Sequence, residues 1–211
     1  MNPICRQRAD QVWSDSTTAG ATSPQRLGLA RRAAALLCLV ALLACALATP
    51  LIAQTSVEEY DLKAAYLYQI ARFVSWPDTV LDAGDPEFVI TVLGEDRFDH
   101  KLEDLLGHRN LFGRPIHIVR CAQPEAVGRT HVLFVATEGK EQIEATLRAT
   151  AELPVLVIGD RFPIAQAGGA MNFYLEDGAV RFEVNPAALE RAGLHASSKL
   201  LSLARIHEEE P

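Results

Sequence analysis

The most constraining feature of the sequence is Asp177-Gly178, which lies between two stretches of alternating apolar and polar residues. A type I′ turn needs positive φ at both central residues, and Asp-Gly adopts it readily. The turn sets a register that pairs apolar residues with each other: Leu175 with Val180, Phe173 with Phe182 and Met171 with Val184. The alternate positions pair Tyr174 with Arg181 and Asn172 with Glu183. Because a slip of one residue would exchange the two faces, turn and pattern together predict an antiparallel hairpin with one apolar and one polar face.

Four apolar runs before the hairpin are predicted to be strands: 88–93, 116–119, 132–136 and 155–158. The runs 88–93 and 132–136 are apolar without interruption, which is typical of parallel strands covered on both faces. A short helix ended by Gly107 follows the first strand, and a helix over 138–149 precedes the fourth. This order predicts an α/β fold: one layered domain with a mixed sheet of about six strands, flanked by helices and including the C-terminal hairpin.

Helices are also predicted at both ends of this domain. Ser56 and Glu59 form a capping box for a helix that runs to about Ser75, where Trp76-Pro77 ends it. Its apolar stripe consists of Tyr60, Ala64, Leu67, Ala71 and Val74. Asn185-Pro186 begins another helix, which Gly193 ends, and a last helix is predicted to extend to Ile206.

The N-terminal segment is predicted to be an export signal. Arg31-Arg32 precedes an apolar, Ala-rich run that ends near Ala48, as in a secretory signal peptide. We therefore divide the chain into a disordered segment with a signal peptide at 1–53 and a folded domain at 54–211, and expect an exported protein. The alternative is a lipoprotein anchored at Cys45, although the apolar run continues past that residue.

The charge of the mature chain limits its partners. Removal of 1–53 takes five arginines and two aspartates from 20 basic and 27 acidic residues, which leaves 15 and 25 and a net charge of −10. Such a surface disfavours nucleic acid and anionic membranes, so membrane contact is expected only through a partner. Cys121 is the one cysteine of the mature chain, so an internal disulfide is impossible; it either packs in the core or pairs with a second subunit.

The sequence contains none of the common catalytic, phosphate-binding or zinc-binding motifs, and it predicts no cofactor and no metal. His117 and His131, beside neighbouring predicted strands, either meet or are separately and partly buried. Candidate ligand-binding positions follow predicted strands or form tight turns: Gly94, Asp160, Gly168 and Gly169. Alternatively, Asp160 caps the turn that begins at Arg161. Gly168-Gly169 alternatively forms a tight backbone turn into the hairpin.

An ordered set of short stretches resembles the YfiR family of small secreted α/β proteins. The stretches are Leu62–Leu67 with Phe73–Pro77, Val89–Gly94, His131–Val135, Leu156–Asp160 with Phe162, Gly168–Phe173, Val180–Asn185, and Ala192–Leu194 with Ser198–Leu201. The resemblance implies a periplasmic, non-enzymatic regulator that can form a homodimer. It further implies binding to the periplasmic part of an inner-membrane diguanylate cyclase, which is held inactive.

Two other readings stay open beside this one. A periplasmic small-molecule binding protein would use the strand ends near Gly94 and Asp160. A hydrolase would use Asp160, Asn172, Glu183 and a histidine. For the favoured regulator, the candidate partner-binding residues are the polar hairpin side and the exposed arc of the first helix: Asn172, Tyr174, Arg181, Glu183, Asp61, Gln69 and Arg72.

Overall fold

The computed structural model describes residues 59–81, 84 and 86–209, all within the unit Ile52–Pro211. The Ser56 cap, the export signal and Cys45 lie outside the described residues. The helices are α1 (59–73), α2 (Asp78–Leu81), α3 (Lys101–Leu106), α4 (Lys140–Thr150), α5 (Pro186–Arg191) and α6 (Ser198–Leu201). Short 3-10 helices cover Pro124–Ala126 and Ile164–Ala167.

Eight strands form one mixed sheet, and two more form a small separate one. In chain order the strands are β1 (Val74–Ser75), β2 (Phe88–Gly94), β3 (Asn110–Leu111), β4 (Arg114–Cys121), β5 (Val132–Ala136), β6 (Leu156–Gly159), β7 (Met171–Glu176), β8 (Ala179–Val184), β9 (His195–Ala196) and β10 (Arg205–Ile206). The order in the large sheet is β10-β8-β7-β6-β5-β2-β4-β3. Strands β4, β2, β5, β6 and β7 run parallel to one another, so their carboxyl ends meet at one edge, whereas β3 and β8 run antiparallel to β4 and β7.

Helices cover both faces of this sheet, which explains the uninterrupted apolar runs. Phe134 of β5 points into the larger core with α1 and α3, whereas Leu133 and Val135 point into the smaller core with α4. Alternate strand residues are therefore buried on opposite faces, as in parallel sheets generally. The predicted α/β class, and the central parallel placement of residues 88–93, are confirmed.

The hairpin has the predicted turn and the predicted register. Asp177 and Gly178 both have positive φ, 52° and 76°. Every predicted pair is present, from Met171 opposite Val184 to Leu175 opposite Val180. The apolar face is buried except at Leu175, near the turn, which is exposed although its partner Val180 is buried.

Three details of the predicted elements are wrong, because short segments pair as strands, two of them with partners far away in the sequence. Helix α1 ends at residue 73, since Val74–Ser75 pairs with β9 and the Phe73 carbonyl accepts the Ser197 N–H. Ile206 lies in β10, parallel to β8, and α6 ends at Leu201. The additional two-residue strands β3 and β10 raise the large sheet from about six strands to eight. Sequence periodicity does not record such long-range pairing.

A candidate ligand cleft at the carboxyl edge of the sheet

A cleft of about 620 Å³ lies at the carboxyl ends of β5, β6 and β7, beside the first turns of α1. Its lining consists of Glu59, Lys63, Glu138, Asp160, Arg161, Phe162, Phe173, Tyr174 and Leu175. The carboxyl edge of an open α/β sheet is where such folds usually bind ligands, so the location agrees with the general rule. The lining combines five charged side chains with an apolar wall.

The floor of the cleft is a buried charged cluster that joins α1 to the end of β6. Nζ of Lys63 lies 2.5 Å from Oδ1 of Asp160, and their side chains are only 4% and 1% exposed. Lys63 also donates to Glu59, one helical turn earlier. The hydroxyl of Tyr60 donates to the other Asp160 oxygen at 2.7 Å. The two oxygens of the buried carboxylate are thus both hydrogen-bonded, as burial of a charge requires.

The local sequence explains why these groups converge. Glu59 lies four positions before Lys63, and Tyr60 lies three positions before it. Both side chains therefore neighbour Lys63 on one side of α1. Asp160 follows Gly159, where a Cβ atom would lie 2.8 Å from the Phe162 carbonyl oxygen, so the chain turns tightly after β6. The hydrogen bonds described for the Asp160 carboxylate come from Tyr60 and Lys63 of α1 and not from the turn at Arg161.

The electrostatics of the cleft keep Tyr60 protonated and Arg161 charged. Burial, then the hydrogen bond to Asp160 and the charge of Asp160, raise the pKa of Tyr60 well above its ordinary value. Nη1 of Arg161 lies 3.3 Å from Oε1 of Glu138 at the exposed rim. Both cations of the lining are engaged by its three carboxylates, so the cleft offers a bound molecule polar contacts more than an unpaired cation.

Asp160 does not meet Asn172 and Glu183, the other residues proposed for hydrolysis, which pair with each other across β7 and β8. Ile158 and Phe173 point into the larger core, so Gly159 and Asn172, which follow and precede them, face the other side of the sheet. Asp160 contacts α1 on the larger-core side, whereas Asn172 accepts the Ala165 N–H from the 3-10 helix on the opposite side. The sheet therefore separates Asp160 from Asn172.

Of the four candidate ligand positions, the cleft contains Asp160 alone. Gly94 has φ of 100° and pairs with Ala136, and a Cβ atom there would lie 2.8 Å from the Thr137 nitrogen. Gly168 ends the second 3-10 helix with φ of 94°. Gly169 packs so closely against Ile164 that a Cβ atom on residue 169 would lie 2.1 Å from Cγ2 of Ile164. These glycines are required by the backbone and by packing, so the tight-turn alternative describes Gly168-Gly169.

The polar side of the hairpin is less exposed than expected. Asn172 and Glu183 are buried, and the expectation that they lie on the surface is wrong. The 3-10 helix and the C-terminal segment cover them: Gln166 donates to Glu183 at 3.4 Å, and Nδ1 of His207 lies 4.0 Å from Glu183. The other candidate partner-binding residues differ in exposure: Arg181, Asp61, Gln69 and Arg72 are exposed, and Tyr174 is half-buried in the cleft wall.

Lys63, Tyr60 and Glu59 were missed as site residues. Tyr60 was assigned to the apolar stripe of α1 and Glu59 to its cap. The available signal was Lys63, because a lysine next to Ala64 on the apolar side of a buried helix needs an anionic partner. The sequence did not show which carboxylate that partner is.

The remaining candidate residues, His117, His131 and Cys121, are not among those that line the cleft. Strand β2 separates His117 from His131; His131 is buried, stacks on Phe88 and accepts the Val89 N–H at 3.0 Å. Cys121 is a partly buried free thiol, and burial raises its pKa. Within residues 59–81, 84 and 86–209, no cluster of three metal-ligating side chains occurs. No helix in that part of the chain combines the length and apolarity needed to cross a membrane.

Comparison with known proteins identifies the family. A family model described as YfiR/HmsC-like matches residues 60–205, more than two thirds of the chain. The matched span contains the buried cluster apart from Glu59, and nearly the whole sheet. No curated protein matches the chain. The chain belongs to the YfiR/HmsC-like family, whose members are periplasmic regulators in cyclic di-GMP signalling.

Proposed function

We propose that this protein is a periplasmic, non-enzymatic binding protein that represses an inner-membrane diguanylate cyclase by binding the periplasmic part of that enzyme. Family membership is the observation that carries the proposal. The pairing of Lys63 with both Asp160 and Glu59 supports it, because each of these three side chains is engaged with another. The protein acts by binding alone.

The mechanism is stoichiometric. A protein that binds the inactive arrangement of a sensor domain more tightly than the active one shifts the equilibrium toward the inactive arrangement. The shift is limited by the difference between the two affinities, and no chemical step is needed. A signal that releases the repressor then raises cyclic di-GMP.

Two exposed surfaces are candidates for the cyclase contact. One is the outer face of α1 with Asp61, Gln69 and Arg72. The other is the hairpin end, where Arg181 lies 3.7 Å from Glu176 and Tyr174 stacks against Arg205 at 4.1 Å. Arg and Tyr are enriched at protein interfaces, which favours the hairpin end as a binding surface.

Affinity purification from membranes tests this proposal. Wild-type protein is expected to recover a diguanylate cyclase, and Arg181→Glu is expected to recover at least about tenfold less if Arg181 is a central contact. Arg148→Glu, on the exposed side of α4, is the matched control and should recover as much as wild type. Absence of any diguanylate cyclase from the wild-type eluate contradicts the function; equal recovery by all three removes the hairpin end from the interface.

A second candidate function is small-molecule binding, which the cleft of about 620 Å³ favours because its size suits a drug-sized ligand. Native mass spectrometry of protein isolated from the periplasm tests it. A bound mass that is lost in Leu175→Arg, which places a charge in the apolar wall, supports the ligand. A wild-type spectrum with the polypeptide mass alone contradicts retention of such a ligand.

Export with removal of residues 1–53 is part of the proposal. N-terminal sequencing of the periplasmic protein is expected to begin near Gln54. A lipid-modified Cys45 at the N-terminus would instead establish the lipoprotein alternative. Sedimentation with and without reductant tests whether Cys121 joins two subunits in a homodimer.

A further inference from the structure

A second aromatic and cationic surface lies at the C-terminal end of α1, outside the cleft. We name it the Phe112 surface and define it by Phe112, Tyr68, Arg72 and Arg109. The Tyr68 hydroxyl donates to the Asn110 carbonyl at 3.4 Å, which joins α1 to the β3–β4 hairpin that carries Phe112. Among the large apolar residues exposed within residues 59–81, 84 and 86–209, Phe112 is the one aromatic, with 44% of its surface accessible.

Phe112 occupies a backbone conformation that its side chain disfavours. Phe112 and Gly113 form the two-residue turn between β3 and β4, with φ of 51° and 79°. The other two-residue turn of the sheet, Asp177-Gly178, has almost the same angles, 52° and 76°. Asp tolerates positive φ, whereas a bulky aromatic in that region is an outlier. The chain thus retains a phenylalanine where a turn-forming residue would fit with less strain, and such strain points to a role of the side chain.

Packing against other aromatic rings buries part of the Phe112 side chain. Its ring contacts the edges of Trp76 and Phe88, with centroids 5.7 and 5.9 Å apart. Those rings are themselves buried, so Phe112 covers them from outside. Phe112 is nonetheless exposed at the tip of an edge hairpin, where an aromatic residue is available to a binding partner.

The two arginines of the Phe112 surface make cation–π contacts with one aromatic ring, that of Tyr68. The guanidinium carbons of Arg109 and Arg72 lie 4.9 and 5.7 Å from the Tyr68 ring centroid. Within the described residues neither guanidinium has a carboxylate at ion-pair distance. The C-terminal dipole of α1 accounts for Arg72 in the last turn, but Arg109 precedes β3 and belongs to another segment. Lys199 adds a further exposed cation over Phe73, at 5.2 Å.

We infer that the Phe112 surface is a docking site for a protein segment that presents carboxylates beside an apolar slot. The slot would take the exposed Phe112 ring, and the carboxylates would pair with Arg72 and Arg109, whose guanidinium groups Tyr68 already orients. Aromatic anchors next to arginines are the usual composition of interface hot spots. The inference rests on the proposed function in one respect: it takes the partner to be a protein.

Charge argues for this occupant against two others. A second copy related by a two-fold axis would bring the same cations face to face, which is repulsive. An anionic membrane would gain about 1 kcal/mol for each cation, while a net charge of −7 on the whole chain opposes its approach. A compact acidic protein segment neutralises the arginines without drawing the acidic remainder of the protein to a negative surface.

Site-specific photocrosslinking in the native periplasm tests the inference. p-Benzoylphenylalanine replaces Phe112 in one strain and Leu153, an exposed apolar residue after α4, in a control strain. The result expected is an adduct from position 112 to the periplasmic segment of a membrane protein. Adding Arg72→Glu and Arg109→Glu together should reduce that adduct at least about tenfold, since hot-spot losses are of this size. The matched double reversal, Lys140→Glu with Arg148→Glu on α4, should leave it unchanged.

The other outcomes are equally decisive. Absence of a protein adduct at position 112, an adduct with a second copy, or an adduct that survives both reversals overturns the inference. A cyclase adduct from position 153 with none from 112 overturns the Phe112 surface and leaves the proposed function standing. A charge-dependent adduct from 112 to a protein other than a diguanylate cyclase supports the surface and contradicts the proposed function. In affinity purification from membranes, Phe112→Asn, which suits the turn, and the double reversal Arg72→Glu/Arg109→Glu should each lower partner recovery to a similar extent, while the circular dichroism spectrum of each stays that of the wild type.

Discussion

Lys63 on α1 and Asp160 after β6 form a buried ion pair, with Nζ and Oδ1 2.5 Å apart. The pair lies 97 residues apart in the sequence and joins the first helix to the middle of the sheet. Breaking a buried pair is costly because the remaining charge has lost its partner, even where the intact pair itself adds little stability.

Lys63→Met is therefore expected to lower the free energy of unfolding by about 3 kcal/mol, since Asp160 then stays buried without its cation. Urea unfolding followed by circular dichroism measures this change. The double variant Lys63→Met/Asp160→Leu should recover much of the loss, because both charges are removed. A single variant as stable as wild type would show that the pair is not buried in solution.

Tyr60→Phe removes the hydroxyl that donates to Asp160 and should cost about 2 kcal/mol, as expected for a hydrogen bond to a charged acceptor. The variant also tests the pKa of Tyr60. Because the folded protein raises that pKa, the stabilisation is present below the unfolded value of about 10 and is lost as the pH rises beyond it. Wild type should lose more stability than Tyr60→Phe between about pH 10 and pH 12. Parallel alkaline curves would contradict the assignment.

Glu209 attaches the C-terminal segment to α5 and its cap. Its carboxylate accepts a hydrogen bond at 2.7 Å from each terminal nitrogen of Arg191 and another at 2.8 Å from Asn185. Arg191, followed by Asn185, lowers the pKa of Glu209 to about 2. The attachment is therefore complete above the ordinary carboxyl pKa and is lost as the pH falls toward 2. Glu209→Gln should increase amide hydrogen exchange at His207, whose N–H donates to Val184, while Glu208→Gln serves as the control. Equal exchange in both variants would contradict the role of Glu209.

Gly169→Ala should destabilise the protein by about 2 kcal/mol, because the new methyl would lie 2.1 Å from Cγ2 of Ile164 and overpack the smaller core. Gly128→Ala is the matched control, since a Cβ atom there meets nothing within 4 Å. Thermal unfolding of both variants measures the difference. A melting temperature for Gly169→Ala equal to that of the control would show that Ile164 moves without cost.

Much of the fold follows from local pattern. The hairpin could be predicted to the residue pair, because Asp177-Gly178 suits one turn type and the alternation permits one register. The uninterrupted run at 88–93 likewise identified a central parallel strand. The short strands β1, β3, β9 and β10 could not be predicted, since two residues carry no periodicity and each strand exists through its partner.

The candidate site was less predictable than the fold. Asp160 could be selected because it follows a buried strand, and the cleft does lie there. Asn172 and Glu183 were expected on the surface from the polar side of the hairpin, but the 3-10 helix and the C-terminal segment cover that side. Whether the polar side of a strand faces solvent depends on what packs over it, which alternation does not record.

The sequence by itself determined the α/β class, the hairpin and its register, and the helix that carries Tyr60 and Lys63. These depend on side-chain periodicity and turn chemistry within short stretches of chain. The tertiary structure alone decided that Lys63 meets Asp160, that Glu183 is covered and that Arg72 and Arg109 meet at the Tyr68 ring. Those contacts join segments tens of residues apart, and their geometry arises when the helices pack onto the sheet.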